Sequence, residues 1–142
     1  MSMKQISVFL ENKPGTLERM TQTLADGGVN LRAISMAESA DYGIARIIVD
    51  DLIGASTVLK DADFVISLTP VLAYEIPNEP GGLNKLLMRF TQAGINIEYM
   101  YSCIIGDEEK RAYMILRVAD TAAAEAAMTR AGLRSLDLEA IE

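Results

Sequence analysis

Residues 11–30 read ENKPGTLERMTQTLADGGVN, and this stretch decides how the rest of the chain is parsed. Asn12, Lys13, Pro14 and Gly15 spell a turn, because Pro beside Gly punctuates a chain. Leu17, Met20, Thr21 and Leu24 follow at i, i+3, i+4 and i+7, the stripe of a helix packed on one side. Gly27 and Gly28 end that helix, since the left-handed residue after a helix is cheapest as glycine. Val29, Asn30 and Leu31 then lead into extended chain.

The device occurs twice. Residues 78–96 read NEPGGLNKLLMRFTQAGIN, and Pro80 lies 66 positions after Pro14. The same offset carries Asn12 onto Asn78, Gly15 onto Gly81, Leu17 onto Leu83, Gly28 onto Gly94 and Asn30 onto Asn96. Leu83, Leu86, Leu87 and Phe90 repeat the stripe. A shared turn, stripe, terminator and flanking asparagines mark an internal duplication.

Outward from each copy, the pattern is β-α-β-β-α-β. Ile6, Val8 and Leu10 alternate over a strand from Gln5 to Leu10. Strands are expected from Asn30 to Ala37 and from Ile44 to Val49, the latter nearly all apolar and therefore central. Asp51 is placed to cap a short helix carrying Leu52, Val58 and Leu59, and Phe64 to Leu68 forms a fourth strand. Thr69-Pro70 reads as the linker. The second unit repeats the order with Val71 to Ile76, the helix after Pro80, Asn96 to Ile104, Ala112 to Val118, a helix near Thr121 to Arg130, and Leu133 to Ile141. The expectation is an α+β fold of two ferredoxin-like units, residues 1–69 and 70–142, with antiparallel sheets and helices on one face.

Composition narrows the function. The chain has 142 residues, so each unit of about 70 buries too little surface to be robust alone. Its net charge is −7, and Lys plus Arg number 6 against 9 acids in residues 1–70 and 7 against 11 in residues 71–142. Neither half offers a basic nucleic-acid or membrane face. No apolar run approaches a membrane span, the start lacks a signal peptide's apolar core, and a single Cys suits a cytoplasmic location. The absence of His removes imidazole catalysis and His metal sites. Cys103, mid-strand and without an adjacent base, reads as inert. Asp107, Glu108 and Glu109 read as a solvated hairpin rather than a metal ladder. No catalytic residue, metal or cofactor is expected.

The turns do offer ligand chemistry. A free amino acid needs N–H donors for its carboxylate and oxygen acceptors for its ammonium. Gly15, Thr16 and Leu17 carry N–H groups that a helix cannot use internally, with the positive end of the helix behind them. Pro14 has no donor to add. Asn12 and Asn30 supply side-chain carbonyls. Pro80, Gly81, Gly82, Leu83, Asn78 and Asn96 are the counterparts. The same residues also suit plain Asx-turns and bends.

NKPGTL and NEPGGL, each after an apolar strand and before a striped helix ending in G-V/I-N, resemble the ACT domain. The resemblance covers essentially the whole chain as a tandem pair. It implies a regulatory module that binds a small ligand, most often an amino acid, and acts on a metabolic partner. In serine-regulated dehydrogenases of this family an Asn in the turn and an Asn after the helix contact the ligand. Those positions here are Asn12 with Asn30, and Asn78 with Asn96. The position just before the turn, polar in some relatives, is Leu10 or Ile76 here. NEPGGLNKLL and AGINIE also resemble regulatory subunits of branched-chain biosynthetic enzymes. Ferredoxin-like acylphosphatases need an Arg in the first loop, which ENKPG lacks, and RNA-binding relatives need basic charge and exposed strand aromatics.

Ligand sites of this family usually lie between units joined at their second strands. With strand order 4-1-3-2, that joint would leave about six strand spacings, roughly 29 Å, for Thr69-Pro70 to cross, and two residues reach only about 7–10 Å. The expectation is a homodimer whose second-strand edges pair between chains, or a different packing of the units.

Overall fold

Alternation of apolar and polar residues makes the first strand, β1 (Met3–Glu11), and the computed structural model describes residues 3–104 and 111–137. There follow α1 (Thr16–Asp26), β2 (Leu31–Glu38), β3 (Tyr42–Val49), α2 (Leu52–Asp61), β4 (Val65–Pro77), α3 (Gly82–Gln92), β5 (Tyr99–Ser102), β6 (Arg111–Arg117) and α4 (Thr121–Arg130). One compact unit is built from residues 4–69 and another mainly from residues 70–137. Each is an antiparallel sheet with two helices packed on it, the ferredoxin-like arrangement.

In the first unit the strand order is β2-β3-β1-β4. β3 pairs with β1 from Tyr42↔Glu11 to Ile47↔Ile6, and with β2 from Gly43↔Glu38 to Val49↔Leu31. Ile6, Val8 and Leu10 of β1 and Ala45, Ile47 and Val49 of β3 form one apolar sheet face. Met20 and Leu24 of α1 and Ala55 and Leu59 of α2 cover it. Each fully buried aliphatic side chain there contributes about 1.5–3 kcal/mol. Asp51 caps α2, accepting the Gly54 N–H at 3.0 Å.

The second unit has the order β4-β6-β5, with Leu72↔Leu116 and Ile76↔Ala112 in register. Leu72, Tyr74, Ile76, Met114 and Leu116 face Leu86, Phe90, Ala124 and Met128. Asp120 caps α4 through the Ala123 N–H at 3.0 Å, as Asp51 caps α2.

Three expectations are corrected. Thr69-Pro70, where the two units meet in sequence, is not the irregular break expected between two strands: β4 runs unbroken from Val65 to Pro77. Proline's fixed φ suits extended chain, and the residue before a proline is itself pushed to the β region, so the pair continues a strand. The Pro70 carbonyl accepts from the Arg117 guanidinium at 2.9 Å. Asn96 to Glu98 are irregular, so β5 covers only Tyr99–Ser102. The expected last strand is not formed over residues 133–137, although Leu136 N–H donates to the Ala73 carbonyl at 2.8 Å. Its remainder, and the hairpin expected at Asp107–Glu109, lie outside the described residues.

Candidate functional site

The turn between β1 and α1 is built by short polar bonds. Thr16 Oγ1 donates to the carbonyls of Glu11 at 2.7 Å and Lys13 at 3.1 Å. Asn12 is tied to the β2–β3 hairpin: its N–H donates to Asp41 O at 2.9 Å, and its Nδ2 to Ser39 O at 3.2 Å and Ala40 O at 3.5 Å. With Nδ2 so engaged, Oδ1 is the atom left to accept, and it has no partner among the described residues. Gly15 takes φ +90° at the head of α1, a conformation that favours glycine.

The helix-end amides divide. Thr16 N–H leans on Lys13 O at 3.5 Å, a long contact. The N–H groups of Gly15 and Leu17 have no partner among the described residues. The second unit repeats this with Gly81 at φ +85° and the N–H groups of Gly81 and Leu83 unpartnered among the described residues. Gly82 N–H is consumed by Glu79 O at 3.0 Å. The turn closes so tightly that a Cβ on Gly82 would overlap the Pro77 carbonyl oxygen. Each unit therefore presents two amides rather than the three expected. Pro14, Pro80, Asn12 and Asn78 are exposed beside them.

Asn30 is elsewhere. Its N–H donates to Asp50 Oδ1 at 3.0 Å and its carbonyl accepts from Asp50 N–H at 3.1 Å. Along β3, Tyr42 is level with Glu11 and the Asn12 turn, whereas Val49 is level with Leu31 and Asn30. Seven residue steps separate those levels, about 24 Å. Asn12 and Asn30 of one unit thus lie at opposite ends of its sheet. Asn96, the counterpart of Asn30, lines a groove of about 330 Å³ with Leu87, Phe90, Thr91, Ile95, Ile97 and Met100. Gly15 opens onto a different groove of about 510 Å³ along α1, lined by Glu18, Arg19, Gln22, Thr23 and Asp26.

Two polar groups escaped the sequence reading. Tyr74 is 2% exposed with a hydroxyl that has no hydrogen-bond partner among the described residues, and its ring meets Phe90 edge-on at 5.9 Å. Burial pushes that hydroxyl up to about 12. Its counterpart in the first unit is Val8, so the duplication gave no hint of it. Arg32, two residues beyond Asn30, has an Nε shut from solvent and unpaired among the described residues. Burial likewise pushes the Cys103 thiol up to about 12, which keeps it protonated and unreactive near neutral pH. Among the described residues no group of three or more His, Cys, Asp or Glu could hold a metal, and no helix is long and apolar enough to cross a membrane.

A duplicated ferredoxin-like unit, each copy with a glycine-headed helix after an asparagine turn, defines a tandem module of two like domains. The chain belongs to the ACT family: the model of an ACT domain pair matches residues 1–138. A crystal structure of a protein from Bacteroides thetaiotaomicron is similar at 37% identity with TM-score 0.91, covering 99% of this chain and 98% of that one. The regulatory subunit of aspartate kinase from Thermus thermophilus shares the fold at 20% identity, TM-score 0.62, over 90% and 91% of the two chains. That from Thermus flavus does so at 21% identity, TM-score 0.56, over 91% and 92%. A comparison with curated proteins finds no match.

Proposed function

We propose that this chain is a non-catalytic regulator that binds a free amino acid and passes the signal to a metabolic partner. One observation carries the reading: in both units a pair of unpartnered helix-end amides stands beside an exposed asparagine. Amides of that kind, at the positive end of a helix, suit a carboxylate. The Asn12 carbonyl suits an ammonium, because its own amide nitrogen is already spent on Ser39 and Ala40.

The ligand-binding set is Asn12, Pro14, Gly15, Thr16, Leu17 and Asn30, with Asn78, Pro80, Gly81, Gly82, Leu83 and Asn96 as its repeat. Since Asn12 and Asn30 are about 24 Å apart within a unit, one ligand touches both only where a second copy brings its β2 alongside. β2 and β5 are edge strands whose outer sides have no strand neighbour among the described residues of their own unit. A homodimer joined at such edges clamps the ligand between copies, and a ligand acts by favouring that clamped state. The setting we propose for this regulator is the cytoplasm.

The test is a thermal-shift screen of the twenty amino acids at millimolar concentration. A native-state ligand raises stability by mass action, by about 2.7 kcal/mol at a hundred times its Kd. Asn12→Ala with Asn78→Ala should abolish the shift, and a flat screen removes the reading. A second reading is a regulatory subunit held on a biosynthetic enzyme, favoured by the shared fold with aspartate kinase regulatory subunits. Co-purification of a catalytic chain distinguishes it from a free-standing sensor.

A further inference from the structure

Leu31 pairs with Val49 and Ala33 with Ile48, so two steps along β2 match one along β3. Arg32 is the extra residue, facing no partner strand, and bulges of this kind re-aim a side chain. Its Nε is shut from solvent and makes no hydrogen bond, and its guanidinium makes no ion pair among the described residues. Arginine cannot shed its charge to escape that cost.

No acid among the described residues pairs with Arg32, and the two that follow β3 each accept a backbone amide instead. Asp50 Oδ1 takes the Asn30 N–H at 3.0 Å, and Asp51 Oδ1 takes the Gly54 N–H at 3.0 Å. The duplicate position shows what closure looks like: at the same 66-residue offset stands Glu98, whose Oε1 lies 3.4 Å from Arg117 Nε. Arg117 also donates to Pro70 O at 2.9 Å. One copy neutralises its charge internally, and the other carries a half-buried guanidinium with no ion pair among the described residues, on an edge strand two residues beyond Asn30.

We infer that Arg32 receives a carboxylate of the ligand. The assignment rests on the amino-acid-binding reading and adds to it a charged residue and a ligand group. A guanidinium fork matches a carboxylate with two parallel N–H donors, which asparagine cannot do. The carboxylate is either the α-carboxylate or that of an acidic side chain. In the second case the helix-end amides of the clamped copy hold the α-carboxylate, and the site is built for a dicarboxylic amino acid.

The test is calorimetric titration of the full chain with L-glutamate, L-aspartate, L-glutamine, L-asparagine and the α-amides of the first two. It is run on wild type, Arg32→Met, Arg32→Lys and Asn12→Ala. Loss of a charged hydrogen bond predicts affinity falling on the order of 10- to 100-fold in Arg32→Met, with partial recovery in Arg32→Lys. Weakening confined to the two acidic amino acids and their α-amides assigns the side-chain carboxylate. Equal weakening of all four amino acids, with the α-amides unmoved, assigns the α-carboxylate. Arg32→Met should also unfold no earlier than wild type without ligand, because it removes an unpaired buried nitrogen; an Arg serving only the fold would lower the midpoint. Unchanged affinities in Arg32→Met, with binding lost in Asn12→Ala, overturn the inference and leave the ligand reading standing. Wild type binding none of these compounds or the other amino acids overturns both.

Discussion

A methyl group on Gly82 should cost more than one on its neighbour Gly81, although Gly81 has the rarer backbone conformation. At Gly81, φ is +85° and an added Cβ meets nothing within 4 Å. Gly81→Ala therefore bears only the left-handed penalty, about 1–2 kcal/mol. At Gly82 an added Cβ would overlap the Pro77 carbonyl oxygen, which is backbone and cannot swing aside like a side chain. Relief requires opening the first turn of α3, which breaks the Gly82 N–H to Glu79 O bond of 3.0 Å. Overpacking of about 1–3 kcal/mol plus a hydrogen bond of about 0.5–1.5 kcal/mol gives roughly 2–4 kcal/mol for Gly82→Ala. The duplicate makes the point sharper: the first unit carries Thr16 there, with its hydroxyl on Glu11 O at 2.7 Å. Transplanting that threonine as Gly82→Thr should be at least as damaging as Gly82→Ala. Urea unfolding followed by circular dichroism at neutral pH measures all three. If Gly82→Ala unfolds at the same midpoint as Gly81→Ala, the close approach of Pro77 does not constrain the turn and the reasoning fails.

Tyr74→Phe should stabilise the protein by about 1 kcal/mol at neutral pH, since it removes a buried hydroxyl with no partner; a fall in the urea midpoint would contradict this. Stability should be level below about pH 9 and decline above it. Cys103 and Tyr74 are held near 12 in the fold against 9.0 and 10.0 ordinarily, so the unfolded chain loses those protons first. Tyr74→Phe should flatten the decline above pH 10, and an unchanged slope would show that burial of this hydroxyl does not drive it. Asp51→Ala and Asp120→Ala should each cost about 1 kcal/mol, because each removes the acceptor of one helix-end N–H; a neutral result at either site would mean water caps that helix equally well. Asn12→Asp should lower stability, because it sets a carboxylate against the Ser39 and Ala40 carbonyls; an unchanged urea midpoint would show that those two bonds do not hold the turn.

Much of the fold was legible because its causes are local. Ile6, Val8 and Leu10 declare a strand by alternation, and Met20 and Leu24 a helix face by their spacing; both sets end in one core. The Asp51 cap needed only its own next turn. The 66-residue repeat turned two weak turn signals into one architecture. Where the local rule misled, a neighbour had overruled it. Thr69-Pro70 looks like punctuation yet continues a strand. Asn96 to Glu98 look like strand and remain irregular before β5. Thr16 and Gly82 look like spare donors, yet their N–H groups turn back to Lys13 and Glu79.

The chain by itself determined that two like units exist, that each presents amides at a glycine-headed helix, and which asparagines flank them. Only the tertiary structure decided that Asn12 and Asn30 stand at opposite ends of β3, that Arg32 is squeezed out as a bulge, and that Glu98 is neutralised while Arg32 is not. The reason is physical. Periodicity and turn chemistry act over a few bonds and are written in the sequence, whereas strand register joins residues far apart and is settled only when the core packs.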